Sequence, residues 1–558
     1  MNAIKPRYDY LLIALLGLAL FVPGLGRAHL FDWDEINFAE CAREMLASSN
    51  WLRVQIDYRP FWEKPPLFIW LQALSMAAFG VNEFAARLPN ALVGVATLLA
   101  LYHAGRRLLD RRMGWAWVGL YVASWLPHFY FKSGIIDPLF NLLIFLALYQ
   151  LYVSSFVRRR AMSAGLAGIF LGLAVLTKGP VALLIAGLVI VAFVVWNRGP
   201  GGIAWKHVAL ALVVCLLTAS SWFLVELALH GPALVMDFIV YQVRLFRTED
   251  AGHGGPFFYH WIVLLAGCFP ASVLLFQRTP QGADEPAALR LFTRWMWVLF
   301  WVVLILFSIV KTKIVHYSSL CYFPLTYLAA LQAWRMMQRG VRLQKVAFVL
   351  LLFVGLSMAF AIAALPVVGV HKDALLPYLN DPFAAANLAA GVHWNYAMAL
   401  PGVALMIAIV AAAIALRKGR PARGWLLLGV AQVVAIQVAV LLFVPRIEGY
   451  SQRAAIDYFK SLRGQMAEVY PLGYKSYAHL FYAQKPPGMS AASDGGPDWY
   501  LYQPTQRPVY FIAKVPDTAR WAAMPQLRKI GEANGFVFFK KLELAPAKAT
   551  LPLPTTQR

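Results

Sequence analysis

The stretch "DYLLIALLGLALFVPGLGRAHLFDWDE", Asp9–Glu35, sets the reading of the whole chain. Its apolar part, near 9 to 27, is about as long as the ~20 residues needed to cross hydrocarbon. Three carboxylates, Asp32, Asp34 and Glu35, follow at once. No small-residue cleavage pattern separates the two parts, so the run reads as a retained span and not as a secretory peptide. Negative charge at the exit of a span is costly unless it is paired or wetted, and those carboxylates need a purpose.

Composition agrees with a chain built in lipid. Of 558 residues 60% are hydrophobic and 14% charged, against roughly a quarter charged in soluble domains, and the mean hydropathy is +0.60. The net charge is +23, from 50 Lys and Arg against 27 Asp and Glu. In a soluble protein that excess would suggest a nucleic-acid partner; here its placement excludes one. Further apolar runs lie near 88–105, 113–131, 138–156, 163–177, 180–196, 207–229, 259–277, 292–310, 316–334, 346–366, 396–416 and 424–444, which predicts about thirteen transmembrane helices. With the N-terminus, Lys5 and Arg7, in the cytoplasm, the inner connections are "RRLLDRR" (106–112), "VRRR" (157–160), "NRGPGGIAWKH" (197–207), 277–294, "RMMQRGVRLQK" (335–345) and "RKGRPARG" (417–424). All are basic, as the positive-inside rule requires.

The same alternation sends 28–87, 230–258, 367–395 and 445–558 outside. In 28–87, "DEINFAECAREML" and "FIWLQALSMAAFGV" carry helical spacing and predict two amphipathic helices along the membrane surface. The tail turns polar, with strand-like runs "RPVYFIAKV" and "GFVFFKKLEL", and predicts a small soluble α/β domain. The expected organisation is therefore a polytopic α-helical domain over 1–444, with periplasmic surface helices in 28–87, and a periplasmic domain over 445–558. Cys41, Cys215, Cys268 and Cys321 form no disulfide framework, although Cys268 and Cys321 both fall near outer helix ends.

Ionisable residues recur at the outer ends of the runs. They are Asp32, Asp34 and Glu35; Glu63 and Lys64 in "RPFWEKPPLFIW"; Lys132 and Asp137 in "YFKSGIIDPLF"; Lys178 in "LTKGP"; Arg244, Arg247 and His253; and Lys311, Lys313, His316 and Tyr317 in "VKTKIVHYSSLCYFPL". Unrelated connections that each spend a charge at one depth imply a shared wet cavity. Lys64, Lys178, Arg244, Arg247, Lys311 and Lys313 suit a phosphate, with Arg as a bidentate fork and Lys as a point charge. Asp34 and Asp137 suit taking or holding the proton of an incoming hydroxyl. Asp32 reads instead as an N-cap of the first surface helix. A phosphate clamp beside a base at a membrane surface fits transfer of a group from a lipid phosphate. His253, His260 and His316 have no tight ligand spacing, so no cofactor is required, a structural or activating divalent metal being the alternative.

In order, the Asp34–Glu35 pair, "FWEKPPL", Asp137 at the outer start of the fourth helix, "TKGP" and "KTK" before "HY" resemble the polyprenyl-phosphate-sugar-dependent GT-C glycosyltransferases. The likeness is greatest to the aminoarabinose transferase branch of the protein mannosyltransferase superfamily, and it spans nearly the whole chain. The resemblance implies an inverting transfer in the bacterial inner membrane, from an undecaprenyl phosphate sugar to lipid A or another envelope glycan, with the site periplasmic. It assigns Asp34, beside Glu35, as the catalytic carboxylate, Glu63 and Lys64 to the lipid phosphate, and Asp137 to support. Lys178, Arg244, Arg247, Lys311, Lys313, His316 and Tyr317 complete the phosphate pocket. The branch reads Asp-Glu-x-Arg-Tyr in its first loop, whereas this chain has Asn37 and Phe38 at the last two positions, which leaves sugar and acceptor open. The rival class is a membrane transporter, which would show internal repeats and charge near the midplane; no duplication is evident.

Overall fold

The computed structural model describes residues 6–156, 158–247, 254–280, 285–489, 496–505 and 507–542. Two compact units emerge, Met1–Val370 with His393–Pro445, and His371–Val392 with Arg446–Arg558.

The first unit is helical, as backbone without water to bond must be. Every apolar run named above lies on helical structure, but the helices are unequal. Eight of those described are long and apolar enough to cross a membrane, among them Glu83–Leu108, Asp137–Ser154, Arg160–Lys178 and Ala287–Ile309. Other expected spans are short or broken. Pro6–Phe21 has 16 residues, Ser124 interrupts Arg111–Ala123 and Trp125–Tyr130, and Tyr259–Gly267 gives way to the 3-10 turn Ser272–Phe276. The Asp137–Ser154 helix is largely buried.

Residues 28–87 hold two helices and a short hairpin. The Asp34–Ser48 helix is buried from Glu35 to Met45, so its polar side chains must satisfy one another. Arg43 forks onto Glu40 at 2.6 and 2.7 Å. Trp33 stands at the N-cap, the place expected for Asp32. A two-residue hairpin joins β1 (Gln55–Ile56) to β2 (Arg59–Pro60); Asp57 and Tyr58 both have positive φ, the geometry that matches strand twist. The Glu44 carboxylate accepts from both turn amides, at 2.6 and 2.8 Å, which pins the chain that next delivers Glu63 and Lys64. The Leu67–Phe79 helix follows.

In the second unit a four-stranded sheet has the order β3 (Glu468–Leu472), β4 (Val509–Lys514), β6 (Phe536–Lys541), β5 (Leu527–Ala533). The β3–β4 pair is parallel and the others antiparallel. Tyr470, Phe511, Trp521, Val537 and Phe539 are among its core residues. The Pro382–Leu388 helix joins this unit, its Phe383 ring 5.3 Å from that of Phe536. All four cysteines are buried free thiols.

Candidate active site

Two helix ends of opposite polarity meet at the centre of the site. Asp137 opens its helix with Pro138 in the first turn, where proline is tolerated and the helix dipole favours a carboxylate. Lys178 closes the Arg160–Lys178 helix, and the dipole favours a cation there. Gly179, at φ +93°, ends that helix in a conformation L side chains rarely adopt. The Lys178 ammonium lies 2.6 Å from Asp137 Oδ1. It also lies 5.2 Å from the Tyr317 ring centroid and 5.6 Å from that of Phe140.

His316 joins this pair to the first loop. Its Nε2 is 3.8 Å from Asp137 Oδ2 and 3.5 Å from Asp34 Oδ2. The 3-10 turn that carries it, Val315–Cys321, is fastened when Ser319 Oγ donates to the His316 carbonyl and accepts from Asn141 of the Asp137 helix, at 2.5 and 2.7 Å. The two aspartates differ in access: the Asp34 side chain is 34% exposed and that of Asp137 is 3%. Of the two, Asp34 is the one open to solvent.

Glu35 has another task. Its two oxygens accept from Arg87 Nε and Nη2 at 2.9 and 2.8 Å, from the Phe31 amide at 2.8 Å, and from the Gly134 amide. Arg87 also donates to the carbonyls of Leu25, Ala28 and His29. Burial pushes the Glu35 carboxyl up, but the Arg87 guanidinium with the Phe31 and Gly134 amides holds the group below the usual carboxylate range. The pair ties the end of the first span, the loop and the turn before Asp137 together, and so fixes the backbone next to Asp34.

On the other side, Lys64 lies 5.2 Å from the Tyr241 ring centroid, and the Arg244 guanidinium carbon is 5.2 Å from the same ring. The Tyr241 hydroxyl donates to Glu63 at 3.3 Å. Burial holds the Lys64 ammonium below the ordinary lysine range, against the pull of the carboxylates of Glu63, Asp34 and Asp137, while Lys178 adds to the lowering. Lys64 thus feels both aspartates and the second cation.

Asp34, Glu63, Lys64, Asp137, Lys178, Arg244, His316 and Tyr317 therefore share one region. Among the other expected members, Lys313 and Lys132 bond to backbone carbonyls. The Lys313 ammonium, 7% exposed, donates to the carbonyls of Phe307, Ser308 and Val310 at 3.0, 2.7 and 2.5 Å and caps the Ala287–Ile309 helix. Lys132 donates to the Pro23 carbonyl at 2.7 Å, and Lys311 is exposed. Arg247 ends the Ala233–Arg247 helix, but its side chain and all of His253 lie outside the described residues. Among the described residues no group of three His, Cys, Asp or Glu side chains is placed to hold a metal ion. Tyr241 and Arg87 were not expected members. Tyr241, three residues before Arg244, shares its helix face, which is a signal the charge-based reading passes over.

Residues 63–224 match the family described as dolichyl-phosphate-mannose-protein mannosyltransferase. An undecaprenyl phosphate-alpha-4-amino-4-deoxy-L-arabinose arabinosyl transferase of Pseudomonas paraeruginosa is 30% identical over 436 residues, 73% of this chain and 76% of that protein. A protein of the same description from Pectobacterium carotovorum is 28% identical over 442 residues, 76% and 74% of the two chains. The crystal structure of ArnT from Cupriavidus metallidurans in the apo state has a TM-score of 0.74 at 18% identity, over 97% of this chain and 99% of that one. The same protein bound to undecaprenyl phosphate gives 0.73 at 19%, over 97% and 100%. At these identities the likeness is one of fold.

Proposed function

We propose that this chain, which belongs to the family of undecaprenyl phosphate-alpha-4-amino-4-deoxy-L-arabinose arabinosyl transferases, moves that aminosugar from undecaprenyl phosphate to lipid A, with inversion at the anomeric carbon. The protein is a multi-pass membrane glycosyltransferase. The basic connections argue for a cytoplasmic N-terminus, and hence for a site that opens to the periplasm.

The observation that carries the reading is a reachable carboxylate, Asp34, beside a bank of cations. Asp34 is 34% exposed beside His316, while Lys64 and Arg244 share a ring nearby. The acceptor oxygen attacks the anomeric carbon as the bond from that carbon to the phosphate oxygen breaks, and undecaprenyl phosphate leaves with the electron pair. Asp34 takes or holds the acceptor's proton. Lys64, Arg244 and Lys178 meet the charge that grows on the departing phosphate, so the leaving group needs no acid. Asp137 holds Lys178 and His316 in place, Tyr317 flanks Lys178, and Glu35 braces the loop through Arg87.

Asn37 and Phe38 are 2% and 1% exposed. With its amide nitrogen donating to the Trp33 carbonyl and its oxygen accepting from the Trp33 indole, at 3.1 and 2.9 Å, Asn37 serves the loop. Neither residue presents a charge to a substrate, and this favours, as a second reading, the same chemistry with another sugar or envelope acceptor. Mass spectrometry of the products from purified protein, the undecaprenyl phosphate aminosugar and lipid A tests both. A gain of one aminosugar, absent with Asp34→Asn, is the expected result. No transfer, with flux of the donor across liposomes, would replace the enzyme with a transporter.

A further inference from the structure

We infer that Tyr241 is the positioning residue of the phosphate site, the side chain that assembles Lys64 and Arg244 into one clamp. This rests on the transferase reading above. The two cations come from parts of the chain far apart: Lys64 follows the first-loop hairpin, and Arg244 lies one turn beyond Tyr241 on the Ala233–Arg247 helix. Tyr241, 6% exposed, is where they meet, each 5.2 Å from its ring centroid.

Two like charges brought together, Lys64 half-buried and Arg244 exposed, repel one another, and the ring between them attracts both. A carboxylate placed against a cation, as Asp137 is against Lys178 at 2.6 Å, brings a negative charge of its own. An aromatic ring attracts a cation through its quadrupole and adds no net negative charge to compete with an anion. The Tyr241 hydroxyl, donating to Glu63 at 3.3 Å, adds a tether to the residue before Lys64. Phe238, one turn earlier, fixes the helix itself: a Cβ on Gly179 would stand 2.9 Å from its ring, so this helix packs directly on the end of the one that carries Lys178. The ring of Tyr241 therefore sets the distance between two cations that a phosphate must find together.

The test uses the full-length chain in detergent, with binding of radiolabelled undecaprenyl phosphate and donor kinetics as readouts. Position 241 is varied as Leu, Phe, Trp and a series of fluorinated phenylalanines, which keep the ring's shape while draining its quadrupole. Tyr241→Leu should weaken undecaprenyl phosphate binding and raise the donor KM by about tenfold, with kcat at saturating donor within about threefold. Tyr241→Phe and Tyr241→Trp should stay within about threefold of wild type, and stepwise fluorination of the Phe variant should weaken binding stepwise. If wild type binds and transfers while the fluorinated series is flat, the ring does not hold the clamp and this inference alone falls. If wild type neither binds undecaprenyl phosphate nor transfers, the transferase reading falls and takes the inference with it.

Discussion

Lys178 and Asp137, 2.6 Å apart, are the last residue of one helix and the first of another. Each charge is already favoured by its own helix end, and each neutralises the other where water is scarce. Breaking a buried pair from one side leaves an uncompensated charge, which costs about 3–5 kcal/mol. Lys178→Met should therefore lower the thermal midpoint by several degrees. The double variant Asp137→Asn/Lys178→Met should recover most of it without recovering transfer. A double variant no more stable than Lys178→Met would show that the pair is not what the site's stability depends on.

Asp34 should behave in the opposite way. Its side chain is 34% exposed and touches His316 at 3.5 Å, so little of the fold rests on it. Asp34→Asn is expected to keep the thermal midpoint and undecaprenyl phosphate binding, and to slow transfer by about 10²–10⁴, the usual range for a lost general base. Single-turnover rates with bound donor measure this directly; a rate within a few fold of wild type assigns the proton to another group.

Glu35 and Asp34 are adjacent carboxylates with different work. Glu35→Gln keeps the shape but loses the charge opposite Arg87, and should lower stability by about 3–5 kcal/mol, with activity falling in proportion to folded protein. The folded-state pKa of Glu35 is depressed, so its stabilising contribution is present above the unfolded carboxylate value and is lost as pH falls through the lower folded one. Thermal midpoints of wild type minus Glu35→Gln should thus be constant from pH 7 to 5 and shrink only in stronger acid. A difference that vanishes already at pH 6 would contradict the pairing.

These residues also show what a sequence reveals. Asp34, Lys64, Asp137, Lys178 and His316 were legible because a charge at the end of an apolar run is costly and repeated costs imply a shared purpose. Residue type cannot separate Asp34 from Glu35, nor Lys64 from Lys313. Glu35 owes its role to Arg87, 52 positions away, and Lys313 to three carbonyls at a helix end. Tyr241 carries no charge, so the cost of charge near hydrocarbon does not single it out. In the second unit β4 and β6 are apolar and β-branched or aromatic enough to be seen. The "EVYPL" of β3 contains a proline and the "LRKIGEA" of β5 is largely exposed, so neither has the pattern of a buried strand.

Lys64 makes a prediction in which activity and stability run in opposite directions with pH. Burial disfavours its ammonium, and the folded-state pKa lies below the ordinary lysine value. As pH rises through that lowered value the site loses a positive charge, and kcat/KM for the donor, which reports the free enzyme, should fall at a pH where an ordinary lysine is still protonated. Stability should move the other way. The penalty of burying a charge is fully present while both states are protonated, and it is relieved as pH passes the folded value, so the unfolding midpoint should hold or rise there. Lys64→Arg keeps its proton throughout the range. It should flatten the alkaline limb, although a guanidinium does not reproduce the ammonium's geometry and the plateau should be lower. Donor kinetics from pH 7 to 10 for both proteins decide the matter: an alkaline limb that survives unchanged in Lys64→Arg belongs to some other group.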